Sequence, residues 1–283
     1  MQIGRFLVST FALSLGTVSL ASANPTETGD ITTRGEAKQT SWTFDVGAAA
    51  LLSPNFPGDD AYSVSAVPYL RLAYKDKFFA SVQEGMGYTL IDEKNFRAGP
   101  LIGLDFGRDE EEGSPFRLFG SETTDLIGLG DIDPAISLGG FAEAGFDKLQ
   151  FAIRAGQAIT GHEGFTSDVS IRYKDRLTGY GPPIFYSFGP SIEFGDSQYM
   201  NSYFGITAQQ STLSGLALFQ AGGGVVSYGI NATALMPLTD NVSVNLFASV
   251  KRLSDKASDS PLVRERGTPT QAFFGLATAY RFD

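Results

Sequence analysis

The only histidine of the chain, His162, stands in the run Gly161-His162-Glu163-Gly164, with Ser167 a few residues on. A serine and a histidine are the minimum for a lipid hydrolase, because the hydroxyl needs a base to take its proton. Glycine on both sides indicates a tight turn at a strand end instead, and nothing in the sequence marks the third group that would orient the base. Asp109, Glu110, Glu111 and Glu112 could offer oxygen ligands to a divalent cation. Calcium loops space their ligands around a sharp glycine turn, so the expectation here is a solvated charge run. Gly222, Gly223 and Gly224 lack the following Lys-Ser or Lys-Thr of a phosphate loop and read as strand flexibility. With no cysteine, thiol catalysis, disulfides and cysteine zinc sites are excluded. A balance of 21 basic to 31 acidic residues leaves no electrostatic footprint for nucleic acid. The expectation is a non-enzymatic chain with no catalytic residue, cofactor or metal.

The elements that carry these residues alternate with period two. Ile184, Tyr186, Phe188, Pro190, Ile192 and Phe194 interleave with Ser187, Gly189, Ser191, Glu193 and Gly195. Phe96 to Phe106 repeats the pattern, as do Val242 to Val250 and Val169 to Tyr173. A sandwich would bury the apolar face in a core, whereas a membrane barrel turns it to lipid and keeps the polar face inside. Strand candidates of about ten to thirteen residues suit a tilted membrane crossing. Aromatics fall near strand ends (Tyr69 with Tyr74, Tyr186, Tyr199 with Tyr203, Tyr280 with Phe282), where an interfacial girdle would place them. The chain has 33 Gly and only 18% charged residues, and its polar face is small. These features favour an all-β, up-and-down antiparallel transmembrane β-barrel. A hydropathic run near 213–238 is rejected as a membrane helix, because three glycines, Asn231 and Pro237 interrupt it.

Parity turns a set of charges to the lumen: Arg71, Arg97, Arg154, Arg172, Lys251 and Arg281 with Asp105 and Glu193. In a small barrel such groups pair across the lumen and fill it; in a wider one they select solutes. Both readings stand at this point, with a narrow or filled lumen expected for about twelve strands.

Residues 1–23 read as a signal peptide: one charge at Arg5, a short apolar run, and Ala21-Ser22-Ala23 for cleavage. Residues 24–40 read as a flexible polar lead and 41–283 as the barrel. Strands are expected near 42–52, 62–74, 77–90, 95–107, 135–145, 148–160, 165–177, 182–194, 199–209, 217–234, 241–252 and 271–282. That makes twelve, with ten to fourteen as the range. Short turns belong on the periplasmic side and long loops outside. Counted this way, the long segment 108–134 falls on the periplasmic side, which makes it the expected partner surface.

Together these stretches resemble the MltA-interacting protein / OmpV (MipA/OmpV) family of outer-membrane proteins. The resemblance rests on Ser53-Pro54-Asn55-Phe56-Pro57-Gly58, Val67-Pro68-Tyr69, Gly99-Pro100, Gly107-Arg108, Leu129-Gly130-Asp131-Ile132, Gly161-His162-Glu163-Gly164 and Tyr203-Phe204-Gly205. Arg252-Leu253 with Asp255 and Ala257, Asp259-Ser260-Pro261-Leu262-Val263, Phe274-Gly275-Leu276 and Tyr280 extend it over nearly the whole mature chain. The resemblance implies a barrel in the Gram-negative outer membrane, in contact with its lipid. For the family's namesake it implies a scaffold linking a murein hydrolase, a transglycosylase, to a murein synthase. Other members resemble surface proteins or channels, so a narrow channel for small solutes remains the alternative.

Overall fold

A computed structural model describes residues 42–75, 77–110, 116–120, 123–179 and 181–282. The expected signal peptide, the polar lead, Glu111 and Glu112 lie outside the described residues. Fourteen strands run in chain order: β1 (Trp42–Pro54), β2 (Tyr62–Tyr74), β3 (Phe78–Ser81), β4 (Gly85–Tyr88), β5 (Ile91–Glu93), β6 (Phe96–Asp105), β7 (Arg117–Gly120), β8 (Ala135–Phe146), β9 (Leu149–Ala158), β10 (Phe165–Leu177), β11 (Ile184–Gly195), β12 (Gly224–Pro237), β13 (Val242–Leu253) and β14 (Thr270–Phe282). Four short helices join them: α1 (Ser197–Phe204), α2 (Ala208–Ser214), α3 (Asp255–Ser258) and α4 (Pro261–Arg266).

Twelve strands, all but β5 and β7, form a closed antiparallel barrel. Closure is made by β1, which pairs with β2 along 42–54 and with β14 from Phe44 to Leu52. In hydrocarbon no water satisfies a free strand edge, so a spanning sheet has to close on itself. Gly47 lies at this seam. A side chain there would place its first carbon 1.8 Å from the Thr278 carbonyl oxygen, so only glycine allows β1 and β14 to approach this closely.

Thirteen residues at about 3.3 Å each, tilted by about 40°, span about 33 Å, enough for the apolar band of a bilayer. Along β11, Phe188 and Ile192 face out while Ser187, Gly189 and Ser191 face in. Leu138, Ile153, Ile171, Ile230, Val250 and Leu276 continue the apolar exterior round the wall. The barrel is therefore inside out relative to a soluble protein, and the alternation carries a transmembrane β-barrel. Trp42 packs tilted on Tyr74 and edge-on to Phe78, Tyr280 tilted on Phe282, and Phe146 edge-on to Phe151, forming an aromatic belt at one end.

Two corrections cancel in the strand count. The expected strand 77–90 is a hairpin, β3 and β4, turning at 82–84, and the expected strand 199–209 is helical. The helix follows from its own pattern: Asp196 accepts from the Tyr199 N–H as N-cap, and Tyr199, Met200, Tyr203 and Phe204 fall on one buried face. The extra turn reverses the expected direction of every wall strand from β6 to β11, until the loss of the strand at 199–209 restores it. Segment 108–134 thus lies at the same end as 55–61, 159–164, 196–223 and 254–269, here termed the loop end. The opposite, turn end carries the short connections 75–77, 89–95 with β5 in it, 147–148, 178–183 and 238–241. Tyr69, Tyr199 and Tyr203 are not girdle residues either, since all three are buried inside the molecule.

A topology test needs only single cysteines, since the natural chain has none. With an impermeant maleimide, Ile127→Cys and Leu213→Cys are expected to label from one face of the membrane and Gly179→Cys from the other. Labelling of Leu213→Cys together with Gly179→Cys, with Ile127→Cys on the opposite face, would restore the periplasmic placement of 108–134.

Candidate functional site: the lumen and its cap

Inward parity brings most of the predicted charges together and adds partners for them. At the turn end Arg281 donates from Nε and Nη2 to the two carboxylate oxygens of Asp45, at 2.7 and 3.1 Å. Arg71 Nη1 approaches the same carboxylate at 3.8 Å, and its Nε reaches Glu84 at 3.4 Å. Glu84 in turn meets Arg154 at 3.9 Å across the lumen. A neighbouring group joins Arg97 to Glu143 at 2.7 Å, with Gln150 donating to the same oxygen at 3.2 Å and Arg172 set opposite Gln150 in register. Nearer the loop end, Glu193 accepts from Ser227 at 3.0 Å and pairs with Lys251 at 3.7 Å, while Asp168 sits between Glu193 and Arg154 in register.

The burial of this belt decides how it behaves. Arg71, Asp45, Glu84, Glu143 and Arg172 are each 6% exposed or less. A charge held that far from water is costly unless an opposite charge and hydrogen bonds compensate it, so the pairs are mutually obligatory. The pairs cross the lumen, while Arg97, Arg154, Lys251 and Glu193 keep 16%, 21%, 12% and 15% of their side-chain surface accessible. Asp105 departs from the set. It lies at the loop end of β6, where it accepts from the Tyr203 hydroxyl at 2.8 Å and from the Gly107 N–H.

Above the belt the long connections fold into a cap with an apolar core of its own. Tyr199, Met200, Tyr203 and Phe204 pack with Ala257 and Val263 in one cluster. Phe56, Leu126, Leu129, Ile206, Leu216 and Leu262 form a second, and Phe219 packs against both. Polar clamps tie the connections together. Arg266 donates to the carbonyls of Asp125 and Ser214, and Gln210 donates to that of Leu129. Arg108 and Ser260 supply donors to the Tyr203 and Phe204 carbonyls at the end of α1, which a helix terminus otherwise leaves open. Burial pushes the Arg108 guanidinium down to about 10, so it remains charged at neutral pH. Within the acidic run, Glu110 accepts from the N–H groups of Gly128 and Gly130, so one predicted solvated acid instead orders the turn beneath it. Between cap and belt lies a cavity of about 30 Å³ touching Phe56, Tyr199, Glu193 and Lys251. That is room for a water or two.

His162 belongs to this cap. Its Nδ1 accepts from the Gly164 N–H at 3.0 Å and its Nε2 faces Asp105 at 3.5 Å, with Tyr199 and Tyr203 against the ring. Both ring nitrogens are thus engaged, and Ser167 is set in the wall opposite Phe194 and Ala155. Among the described residues no group of His, Asp or Glu is placed to hold a metal ion.

Sequence reasoning missed Asp45, Glu84, Glu143 and Asp168, the acids that neutralise the predicted arginines. Parity alone places Asp45 and Glu143 inward. Glu84 was hidden because it sits on the unexpected turn. Removing one member tests the belt: Asp45→Ala takes away the carboxylate shared by Arg71 and Arg281 and is expected to cost about 3–5 kcal/mol. Lys148→Ala breaks an exposed pair with Asp175 and is expected to leave the unfolding midpoint where it is. Denaturant unfolding of the detergent-solubilised barrel reads both, and equal midpoints would contradict the obligatory pairing.

Comparison with known proteins adds the family. Similar solved structures include an outer membrane channel from Pseudomonas putida F1, 12% identical, covering 86% of this chain and 96% of that one with a TM-score of 0.43. OmpT of Vibrio cholerae is 5% identical, with 86% and 97% covered and a TM-score of 0.31. Scores this low carry no inference about this chain. No curated protein matches it in sequence. The family model described as MltA-interacting protein MipA does match, over residues 46–282, nearly the whole described barrel. The chain therefore belongs to the MipA family.

Proposed function

We propose that this barrel is an outer-membrane scaffold for peptidoglycan-remodelling enzymes, docking a murein transglycosylase, and through it a murein synthase, at its turn end. The observation that carries this reading is the doubly occupied interior. Buried charge pairs cross the lumen and a cored cap lies over it, which supports a role for the outer surfaces. The family's description as MltA-interacting points to a protein partner, which fits a surface role. Short turns face the periplasm in bacterial barrels, so the turn end is the face such a partner would meet. The chain's acidity lies elsewhere. The loop-end connections hold fifteen acidic and five basic residues, against five and four in the turn-end connections, so a partner at the turn end meets a nearly neutral face. A hydrolase reading loses support from His162, which has no lone pair left to deprotonate a serine.

The test immobilises the full chain in nanodiscs and titrates a purified murein transglycosylase of the MltA type. Saturable binding is expected, and deletion of 109–125 is expected to leave it unchanged, because that segment lies at the loop end. Reversing Lys75, Lys77 and Lys94 to Glu is expected to weaken it by about tenfold. Loss of binding on the deletion, with the lysine variant unaffected, would overturn the docking face. No saturable binding would overturn the scaffold.

A further inference from the structure

Two cations at the loop-end rim of the wall differ from those at the turn end in their partners. At the turn end Lys77 is bridged to Asp92 at 3.8 Å and Lys148 to Asp175 at 2.6 Å. At the loop end Arg252 and Lys256 take neutral partners instead. Arg252 is the last outward residue of β13, because Lys251 before it and Leu253 after it turn inward. Its Nη1 donates to the Thr270 hydroxyl at 3.1 Å, across the register of β13 with β14. Lys256, on α3, donates from Nζ to the Gly223 carbonyl. Its side chain lies over Gly224, where a first side-chain carbon would sit 2.9 Å from Nζ, so glycine keeps that path open. Among the described residues neither cation has a carboxylate within 4.0 Å. Acids are plentiful at this end, so the choice of neutral partners belongs to these two positions.

Their height on the wall indicates what would answer the charge. Tyr228 stands in register with Arg252, and below them Ile230 stands in register with Val250. Tyr228, Ile230 and Val250 are all exposed on the outside. Aliphatic side chains, then an aromatic, then cations is the order in which a bilayer passes from acyl chains to headgroups. Gly224, beneath Lys256, begins β12 and lies about 13 Å along the strand from Tyr228. The two cations therefore stand at two depths of one headgroup layer. A phosphoryl oxygen accepts from a guanidinium or an ammonium more strongly than a neutral hydroxyl or carbonyl does, and the guanidinium fork matches it in shape.

We propose that Arg252 and Lys256 hold the phosphoryl head of a glycolipid of the outer leaflet, with its acyl chains against Tyr228, Ile230 and Val250. The site rests on the loop end facing outward and is independent of the scaffold reading.

The test titrates the full chain, purified in detergent, with lipid A or with lipid A stripped of its phosphates, and counts bound lipid by native mass spectrometry. Wild-type chain is expected to retain lipid A about fivefold better than the dephosphorylated lipid, with no displacement by an excess of inorganic phosphate. Arg252→Gln combined with Lys256→Gln is expected to lower lipid A to the dephosphorylated level while the folded, heat-modifiable band is kept. Lys148→Gln, at the turn end, is expected to leave retention unchanged. Equal retention of the two lipids by the wild-type chain, full retention of lipid A by the double variant, or an equal loss in Lys148→Gln would overturn the site. Displacement of the lipid by inorganic phosphate would overturn it as well, leaving a site for a free anion.

Discussion

A strand in hydrocarbon has nowhere to place its backbone N–H and C=O groups except on another strand, and this constraint organises the molecule. It requires the first strand to find the last, which β1 and β14 do from Phe44 to Leu52, with Gly47 permitting the approach. It also fixes the polarity of every side chain. With lipid outside, the apolar residues of each alternating pair face outward and the small or charged ones face inward. The lumen then inherits a chemistry that a soluble core would exclude, and that chemistry has to neutralise itself. The Asp45, Arg71, Glu84 and Arg154 chain is the result. Its groups come from β1, β2, the β3–β4 turn and β9, so the belt braces the barrel across its width.

The cap obeys a different constraint. Outside the bilayer the connections meet water, and they stabilise themselves as a small soluble domain does, with capped helices around apolar clusters. Asp105 joins the two regimes. It ends a wall strand and accepts from Tyr203 of the cap while facing His162. The acidic run near residue 110, which reads in sequence as a solvated stretch, contributes a carboxylate that organises the cap turn at Gly128 and Gly130.

The period-two pattern made the barrel, its inside and its outside legible, because alternation is a direct imprint of two solvents on one strand. Eleven wall strands follow from it, counting the β3–β4 hairpin once. What failed were the places where alternation continues through a change of structure. Phe78, Ala80, Val82, Met86 and Tyr88 keep one parity across the turn at 82–84, and only Glu84 within that series and Gly85, with its positive φ of 75°, mark the reversal. Helix α1 replaces an expected strand, although Asp196 and the spacing of Tyr199, Met200, Tyr203 and Phe204 carry the helical signal. One error subtracted a strand and the other added one, so the count of twelve stood while the side of segment 108–134 reversed. The lumen charges were legible one at a time. Their pairing was not, because partners such as Arg97 and Glu143 are far apart in sequence and meet only through strand register.

The central claim is that paired charges and the cored cap seal the interior, leaving the surfaces to do the work. Single-channel recording of the purified barrel in planar bilayers tests this most directly. The account predicts a flat baseline at applied voltages at which open barrels conduct. Stable, ohmic current steps from the folded protein would contradict it and return the molecule to the channels.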